Sequence, residues 1–543
     1  MNNPEKNIPI TGTTPNRFFP WIQKLFHLFI IFWILSPFLT VATHFFYLDF
    51  WNDELYTLRH FTFVNYDLVF SDYHVPNNHI GFNVLNKLFL HAVGINTLES
   101  LMDTPWMARV LGYVFAFCTI LYTYLISLKW GKPTALLSVA LLVTTLPWYV
   151  AFLQVRGYGL SMALVSMMVF HLIEGMETQK IYHWIISVLV IAWAILTIPL
   201  NIYYILSLLI GIWLSFAFQY LMPFQKNTII HKGRTIYSFI NTQLISVTII
   251  VLLGILIGLL IYIPIWDQVF NNIYTHSNGL FHGKVKGLIK EIYVYLLHGR
   301  QWLVAPVIAG FLVTCIQINK ITIPQIRRLI LLFSVVIFPF VISGIRGDEP
   351  PDRAFLMIIP ILACLISVLL FPLIGKSTQH PKLHITLTLL FVVLSQVSFR
   401  QEYISNVEDL RVDRFRSVTH QNILQSYFSQ WFHPHKQVKT FSKLWRQVPY
   451  PVVIQKCDHH GFKEYLRKYR ITYAAEPYFS SYLEKVPRFY VWTATPTYLE
   501  WSVKKKYTKL ICKNLTHMDD YHQLFYCFCK QNLKYRDAIL NQK

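Results

Sequence analysis

Eleven apolar stretches in residues 1–399 limit the folds that this 543-residue chain can adopt. A helix needs about 20 apolar residues to cross the hydrocarbon core of a bilayer, and most of these stretches reach that length. Across the whole sequence 54% of residues are hydrophobic and only 14% are charged, which exceeds the apolar content that a soluble core can bury. The sequence therefore predicts an α-helical polytopic membrane protein with about eleven transmembrane helices. The predicted spans are 25–46, 106–128, 134–153, 158–173, 184–199, 202–221, 242–265, 301–318, 329–343, 354–374 and 384–399.

Two of the apolar segments need a closer interpretation. Residues 25–46 carry no A-x-A-like cleavage site, so we expect an uncleaved first span and not a signal peptide. Residues 80–94 are short and contain Asn83, Lys87 and His91. This composition favours an amphipathic helix that lies on the membrane interface.

The distribution of charge predicts the orientation of the chain. If residues 1–24 are cytoplasmic, the six inner segments hold 14 Lys and Arg in 77 residues, whereas the short outer segments hold 9 in 110 residues. This difference follows the positive-inside rule and predicts a cytoplasmic N-terminus with an outer C-terminus. Of the 15 acidic residues before residue 400, only Glu5, Glu174 and Glu177 fall inside. The outer segments are therefore either merely solvated, or they form a polar reaction chamber.

Residues 400–543 lack long apolar runs and are predicted to form a separate soluble domain after the transmembrane domain of residues 1–399. They hold 24 Lys and Arg against 12 Asp and Glu, a charge that either attracts anionic lipid or glycan or only solubilises the domain. Nucleic acid is not an expected partner outside the membrane. The pattern predicts an α+β fold, with strands at 451–455, 488–495 and 521–529 and helices at 401–430 and 461–470.

The seven cysteines divide by predicted compartment. Three of them lie in predicted spans and are expected to be small core residues. In the outer domain, Cys512 with either Cys527 or Cys529 is a candidate disulfide, because disulfides persist outside the cytoplasm. The Cys-x-Cys pair could also indicate metal, but no matching spacing of Cys or His accompanies it.

Two adjacent carboxylates, Asp53 and Glu54, follow the first span in the sequence WNDELYTLRH. Charged groups next to lipid are costly and are a default hypothesis for function. They open an outer loop, residues 47–105, which is too long for a plain connector. A carboxylate at this place can take a proton from an acceptor hydroxyl or hold a divalent cation.

Two further motifs face the same predicted side. His79, in SDYHVPNNHIGFNVL, can orient a carboxylate or bind phosphate, or it is a hydrogen-bonded turn residue. Arg156 and Tyr158, in QVRGYGL, begin a span, where a guanidinium can hold a phosphate or can only extend to the interface.

The third motif is IRGDEPPDRAFLMIIP at residues 345–360. Arg346 and Arg353 lie on either side of a Pro-Pro turn before a span, which would let a lipid-linked phosphate bind the arginines with its tail along the helix. The alternative is a loop with internal Arg–Asp pairs.

Taken together, these motifs resemble those of the GT-C glycosyltransferases. The resemblance covers about residues 20–400 and is nearest to the bacterial branch of the dolichyl-phosphate-mannose-protein mannosyltransferase group, which includes the lipopolysaccharide galacturonosyltransferase-like and lipid A aminoarabinose transferase-like proteins. It rests on the Asp-Glu pair after the first span, a turn like N-N-H-P, a helix start like Q-x-x-R-x-Y and a late arginine before a span.

The resemblance implies an inverting transfer of a sugar from a polyprenyl-phosphate donor to a lipid, glycan or protein acceptor on the outer face of a membrane, here the bacterial inner membrane. It implies that Asp53 is the base or the acceptor-orienting carboxylate, with Glu54 beside it. It also implies that His79 lies near the donor phosphate and Arg353 near the leaving group. In the motif at the helix start, this group often has an acid where the chain has Val155. The missing acid weakens a scheme in which two carboxylates hold a metal ion between them.

Other functions remain possible at this level. A transporter or flippase would place its charges near the middle of the bilayer and often contains inverted repeats, and neither feature is visible in the sequence. A polysaccharide polymerase or ligase would centre on a large late outer loop, whereas the larger outer loop here is the first. The sugar, the acceptor and the need for a divalent cation do not follow from the sequence.

Overall fold

A computed structural model describes most of the membrane-spanning part and the framework of the C-terminal segment. The described residues are 20–46, 49–50, 52–221, 236–270, 300–316, 321–346, 352–374, 381–404, 434–447, 449, 452–455, 459–471, 473–475, 488–493, 510–517 and 523–529.

The first part of the chain is a series of helices that alternate between short loop helices and long apolar ones. Proline begins several of them, because its missing N–H is not needed in the first helical turn. The α-helices are Pro20–Phe45, Asn52–Thr57, Tyr66–Ser71, Ile80–Ala92, Leu98–Leu101, Pro105–Leu128, Lys132–Val143, Leu146–Leu153, Tyr158–Thr178, Ile181–Thr197, Ile202–Leu221, Ile236–Leu260 and Trp266–Phe270, with a π-helix at Leu58–Thr62 and 3-10 helices at Pro199–Asn201 and Ile263–Ile265.

The helices continue after residue 300. The α-helices are Val304–Ile316, Ile323–Arg346, Ile359–Ile374 and Pro381–Tyr403, with 3-10 helices at Gln301–Leu303 and Asp352–Ile358. A helix thus lies at each of the eleven predicted spans, and residues 80–94 contain the separate helix Ile80–Ala92. Within the described part of the chain, six helices are by themselves long and apolar enough to cross a membrane, and a bent pair makes a seventh. The polytopic helical fold class is confirmed, whereas the number eleven stays a prediction.

The span predicted at 134–153 is not a single straight helix. The chain forms two helices there, Lys132–Val143 and Leu146–Leu153, which are bent by 69°. Pro147 explains the break, because in a continuous helix its ring would clash with a carbonyl of the preceding turn, and it has no N–H to donate. The Arg300 guanidinium lies in the break and donates to Leu141 O at 3.3 Å and to Thr145 Oγ1 at 2.8 Å.

Two long helices form the centre of the bundle. In the span at Tyr158–Thr178, 83% of the most apolar window is buried, and in the span at Arg353–Leu370 the value is 89%. The other four single spans are 28–56% buried and pack around these two. Each central span begins with a residue of the predicted site, Tyr158 or Arg353, so both arginine motifs adjoin the most buried of these spans.

An ion-pair cluster links several helices at the end of the bundle that lies far from Tyr158. Arg328 Nε donates to Glu177 Oε1 at 2.5 Å, and Lys129 Nζ donates to Glu177 Oε2 at 3.2 Å. Glu174 also pairs with Lys129. The segments 129–133, 174–183 and 319–328 were all predicted to be inner segments, and their contact groups them at one end of the bundle. The orientation of that end in a membrane stays a prediction.

The C-terminal segment contains α-helices and a mixed β-sheet. The helices are Pro434–Gln447 and His459–Lys468, and the strands are β1 (Val452–Gln455), β2 (Tyr473–Ala475), β3 (Arg488–Thr493), β4 (Leu510–His517) and β5 (Gln523–Cys529). The sheet order is β2-β1-β3-β5-β4, with β1 parallel to its neighbours β2 and β3 and with antiparallel pairs β3–β5 and β4–β5.

Three of the five described strands and one of the two described helices of the C-terminal segment were predicted from the sequence. The strands predicted at 451–455, 488–495 and 521–529 correspond to β1, β3 and β5, and the helix predicted at 461–470 corresponds to His459–Lys468, whereas β2 and β4 were not predicted. Most of the helix predicted at 401–430 lies outside the described residues. In the sheet Cys512 is opposite Cys527, but their side chains lie outside the described part, so the disulfide stays a prediction. Whether residues 400–543 form an independent domain also stays a prediction.

The helix His459–Lys468 packs against the first outer loop. Tyr465 is fully buried, and its hydroxyl accepts a hydrogen bond from Phe50 N at 3.2 Å. Glu464 pairs with Arg59, and Lys468 Nζ lies 2.6 Å from Asp103 Oδ1. One C-terminal helix therefore contacts both the beginning and the end of the loop that carries Asp53.

Candidate active site

Asp53 joins two arginines from distant parts of the chain. Its Oδ2 accepts one hydrogen bond from Arg156 Nη1 at 2.7 Å and another from Arg353 Nη1 at 2.9 Å. The Arg156 side chain is buried, with 1% of its surface exposed, whereas Asp53 and Arg353 keep 23% and 25% exposed. The cluster is thus anchored on its inner side by Arg156 and open on the side of Asp53 and Arg353.

Glu54 is more deeply buried than its neighbour Asp53 and has different partners. Its side chain is fully buried, Oε1 accepts a hydrogen bond from Val155 N at 2.8 Å, and Oε2 lies 3.5 Å from Arg109 Nη2. Both acids lie in the first turn of the helix Asn52–Thr57, where the positive end of the helix dipole favours negative charge. Burial and backbone pairing fit Glu54 for holding the helix in place, and the partial exposure of Asp53 fits it for contact with a ligand.

The turn at residues 154–157 is fixed by four side chains from the first loop. Glu54 binds Val155 N, Asp53 and Asn77 bind the Arg156 guanidinium, and His79 Nδ1 accepts a hydrogen bond from Gly157 N at 2.8 Å. The distance from Arg156 Nη2 to Asn77 Oδ1 is 2.5 Å. The predicted motifs of the first loop and of the helix start are therefore brought together by direct contacts.

His79 is neutral and fixed in one tautomer by its surroundings. Burial lowers the pKa of His79 well below its usual value, and the positive charges of Arg156 and Arg353 lower it further. Because Nδ1 accepts the Gly157 N–H, the proton of the neutral ring lies on Nε2. The close contact depends on Gly157, since a Cβ there would lie 2.9 Å from His79 Cβ and 2.9 Å from Thr197 Cγ2.

Tyr158 connects the histidine with the arginines. Its ring meets the His79 ring edge to face, with 5.0 Å between ring centroids. The guanidinium carbons of Arg156 and Arg353 lie 5.1 Å and 5.9 Å from the Tyr158 ring centroid, within the range of cation–π contact. The ring thus supports both cations from one side while Asp53 binds them.

The charges of the site do not cancel. In the cluster at Asp53, Arg156 and Arg353 carry two positive charges against the one negative charge of Asp53. The N-terminus of the helix Tyr158–Thr178 adds a positive dipole end beside them. The arrangement can bind a singly charged anion and can supply a carboxylate next to it.

One predicted site residue falls outside this description. The helix Ile323–Arg346 ends at Arg346, but the side chain of Arg346 and residues 347–351 lie outside the described residues. The interpretation of Arg346 as a phosphate ligand and of the Pro-Pro turn as a cationic rim stays a prediction.

Sequence analysis did not identify three residues that build the site. Asn77 lies in the quoted motif, where an amide before a histidine was a visible signal. Arg109 is buried and donates to Asp49 O at 3.1 Å as well as approaching Glu54. An arginine near the start of an apolar span could have indicated it. Nothing in the sequence indicated Tyr465, because its partner Phe50 lies 415 residues away.

A second hydrogen-bonded chain begins on the same helix as Asp53. Tyr56 Oη lies 2.7 Å from His74 Nε2, and His74 Nδ1 lies 2.5 Å from Asp72 Oδ1. The His60 ring stacks on Tyr56, with 4.4 Å between ring centroids. These exposed polar and aromatic groups hold the segment 72–74 against the helix that carries the acids.

Comparison with solved structures identifies the fold. The structure of ArnT from Cupriavidus metallidurans in the apo state matches with a TM-score of 0.50 at 12% sequence identity, covering 92% of this chain and 98% of that one. The same protein bound to undecaprenyl phosphate matches with a TM-score of 0.51 at 11% identity, covering 94% and 98%. No protein-family model matches the sequence, and no curated protein matches it either.

The match extends over nearly the whole length of both chains. The protein therefore has the fold of the GT-C membrane glycosyltransferases, and the resemblance carried by the sequence motifs is confirmed at that level. At 11–12% identity the likeness concerns the fold, so the substrates must be argued from this chain's own site.

Proposed function

We propose that this protein is an inverting glycosyltransferase that moves a sugar from a polyprenyl-phosphate donor to a lipid, glycan or protein acceptor. The observation that carries the proposal is the Asp53 carboxylate bound between Arg156 and Arg353 at the starts of the two central spans. A site that combines two guanidinium groups, a carboxylate and adjacent lipid suits a phosphate on a lipid tail. The ArnT structure with undecaprenyl phosphate supports this donor class.

The donor phosphodiester binds through the arginines. Guanidinium groups match the geometry of phosphate oxygens, and the cluster of Arg156, Arg353 and Asp53 holds one positive charge in excess, which matches the single negative charge of a phosphodiester. Arg353 begins a span that is 89% buried, so the isoprenoid tail would lie against the less buried helices around that span.

The transfer needs a base and a stabilised leaving group. The acceptor hydroxyl oxygen attacks the anomeric carbon from the face opposite the phosphate, and its proton passes to the Asp53 carboxylate. The bond from the anomeric carbon to the phosphate oxygen breaks, and its electron pair stays on the phosphate. The leaving group is a polyprenyl phosphate whose added negative charge is stabilised by Arg156 and Arg353.

The remaining site residues position these groups. Glu54 and Arg109 fix the helix that carries Asp53, and His79 fixes the turn that carries Arg156. His79 is close enough to Arg156 and Arg353 to be affected by their charges, and the Tyr158 ring contacts both arginines. We propose that His79 and Tyr158 lie near the bound donor phosphate. Arg346 is proposed as a further phosphate ligand at the end of its helix.

A divalent cation held by Asp53 and Glu54 does not fit these residues. Asp53 Oδ2 already binds two guanidinium groups, and Glu54 binds a backbone N–H beside Arg109. Three arginines around two carboxylates would repel a divalent ion. Within the described part of the chain, no three His, Cys, Asp or Glu side chains form a metal-binding group. We therefore propose a mechanism in which the arginines, and not a divalent cation, stabilise the negative charge of the leaving phosphate.

The location of the charges favours an enzyme over a transporter. Asp53 follows the first span, Arg156 precedes the helix Tyr158–Thr178, and Arg353 starts a span, so all three lie at helix ends. A transporter would bind its substrate near the middle of the bilayer. We propose that the site faces the outer side of the bacterial inner membrane, with the C-terminal segment on that side.

Mass analysis of the cell surface tests the function. Glycans, lipids and surface proteins are compared between a strain lacking the gene, the same strain with the wild-type gene and the strain with Asp53→Asn. We expect one sugar mass to be missing from one acceptor in the deletion strain, restored by the wild type and not by Asp53→Asn at equal expression. Full restoration by Asp53→Asn would contradict the assignment. Asp67→Asn is the control, because Asp67 is an exposed acid of the same loop.

A further inference from the structure

We infer that the Asp53 carboxylate occupies the position of the donor phosphate, and that binding of the phosphate releases this carboxylate to act as the base. The inference rests on the proposed function and adds an order of events to it. One carboxylate oxygen binds both arginines in the structure, so Asp53 is an internal anion in the site that an external anion must enter.

The geometry of the cluster supports the overlap. Asp53 Oδ2 lies 2.7 Å from Arg156 Nη1 and 2.9 Å from Arg353 Nη1, which are the distances expected for a phosphate oxygen between two guanidinium groups. A phosphate oxygen that bound the same two nitrogen atoms would have to take the place of Oδ2. Two oxygen atoms with negative charge cannot share that place.

Exposure indicates which contact opens. Arg156 is 1% exposed and is also held by Asn77, whereas Arg353 and Asp53 are 25% and 23% exposed. A donor that approaches from the open side of the cluster reaches the partly exposed Arg353 before the buried Arg156. The pair between Asp53 and Arg353 is therefore the one that the phosphate replaces first.

The exchange has a consequence for catalysis. While Oδ2 accepts hydrogen bonds from two cations, it cannot also accept the proton of an acceptor hydroxyl. When the phosphodiester takes over the arginines, Oδ2 becomes available for that proton. The proposed order is therefore donor first, and the acceptor hydroxyl meets Oδ2 once the phosphodiester has replaced Oδ2 on the arginines.

Binding of undecaprenyl phosphate to the purified full chain tests this inference without knowledge of the sugar. The affinity is measured in detergent micelles by native mass spectrometry for wild type, Asp53→Asn, Asp53→Ser, Arg353→Ala and Asp67→Asn, each checked for a single elution peak. Removal of the internal anion is expected to tighten binding about two- to fivefold in both Asp53 variants, in the range of a partly exposed ion pair. Asp67→Asn removes the same charge from an exposed position of the same loop and is expected to bind like wild type.

The outcomes separate the inference from the proposed function. Tighter binding by both Asp53 variants, with wild-type affinity in Asp67→Asn and weaker binding in Arg353→Ala, supports both. Equal or weaker binding by the Asp53 variants, while Arg353→Ala binds more weakly than wild type, overturns the overlap and leaves the donor class intact. If wild type binds undecaprenyl phosphate no better than Arg353→Ala does, the proposed donor class is wrong. Asp53→Ser is included because the amide oxygen of Asp53→Asn can still accept a hydrogen bond from an arginine, whereas the shorter serine side chain removes that contact.

Discussion

Arg353 donates a hydrogen bond to Asp53 across 300 residues of sequence, and the two side chains are almost equally exposed. This pair joins the loop after the first span to the beginning of a central helix. Because Arg156 binds the same oxygen of Asp53 from a third segment, the site depends on the packing of the whole membrane-spanning part.

Replacement of Arg353 tests its role at the phosphate. Arg353→Ala is expected to weaken binding of undecaprenyl phosphate about tenfold or more, close to ~1.4 kcal/mol, because a charge-assisted hydrogen bond to the phosphate is lost. Arg353→Lys should recover only part, since lysine cannot offer a planar fork of donors. The control is Arg400→Ala at an exposed helix end, and unchanged affinity in Arg353→Ala would contradict the role.

Glu54 is expected to contribute to stability. Glu54→Gln should lower the free energy of unfolding by about 3 kcal/mol, because it leaves the buried Arg109 without its partner charge. The loss is measured as a lower unfolding temperature in detergent. Asp53→Asn and Asp67→Asn should each change that temperature much less, because both acids are more exposed. If Glu54→Gln is as stable as wild type, its buried pair has no structural role.

Gly157 is expected to tolerate no side chain. In Gly157→Ala the new Cβ would lie 2.9 Å from both His79 Cβ and Thr197 Cγ2, so the turn that holds Arg156 must shift. We expect a loss of about 1–3 kcal/mol in stability together with a loss of transfer in cells. Gly344→Ala is the matched control, because a Cβ there would have no atom of another described segment within 4 Å and alanine favours a helix. Wild-type stability in Gly157→Ala would show that the turn adjusts freely.

His79 predicts a dependence of stability on pH. Its folded-state pKa lies well below the ordinary 6.5, so the unfolded chain binds a proton first as the pH falls. Stability is then unaffected by His79 above about pH 6.5 and decreases below it, by up to ~1.4 kcal/mol per pH unit.

Unfolding temperatures between pH 7.5 and pH 5 test this dependence. His79→Gln should show a smaller decrease than wild type, because glutamine does not titrate and its amide oxygen can still accept the Gly157 N–H. His91→Gln, at an exposed position of the helix Ile80–Ala92, should behave like wild type. Parallel curves for His79→Gln and wild type would contradict the burial of a neutral His79.

Tyr465 is expected to hold the start of the first loop from the C-terminal segment. Tyr465→Phe removes the acceptor of the Phe50 N–H, so the amides of residues 49–57 should exchange hydrogen at least about twofold faster, measured by mass spectrometry. Tyr182→Phe, which removes a hydroxyl at an exposed position, should leave that exchange unchanged. Unchanged exchange in Tyr465→Phe would mean that the contact does not order the loop.

The sequence by itself determined the class of fold and the location of the charged motifs. Apolar runs in the first 399 residues predict membrane helices because every backbone group in lipid must be satisfied within its own segment. That rule is local, so a helix occurs at each predicted span. The counts of acids and bases also indicated which motifs share one face, and Asp53, Arg156 and Arg353 do meet.

Only the tertiary structure decided how neighbouring residues divide their roles. Asp53 and Glu54 are equivalent in the sequence, but one helix turns the second into the protein and leaves the first beside two arginines. The break at Pro147, the contact of Gly157 with His79 and the contact of Tyr465 with Phe50 likewise depend on distant segments. Helix formation follows from the polarity of a continuous segment, whereas burial and pairing of a side chain follow from which other segments pack against it, and no local pattern contains that information.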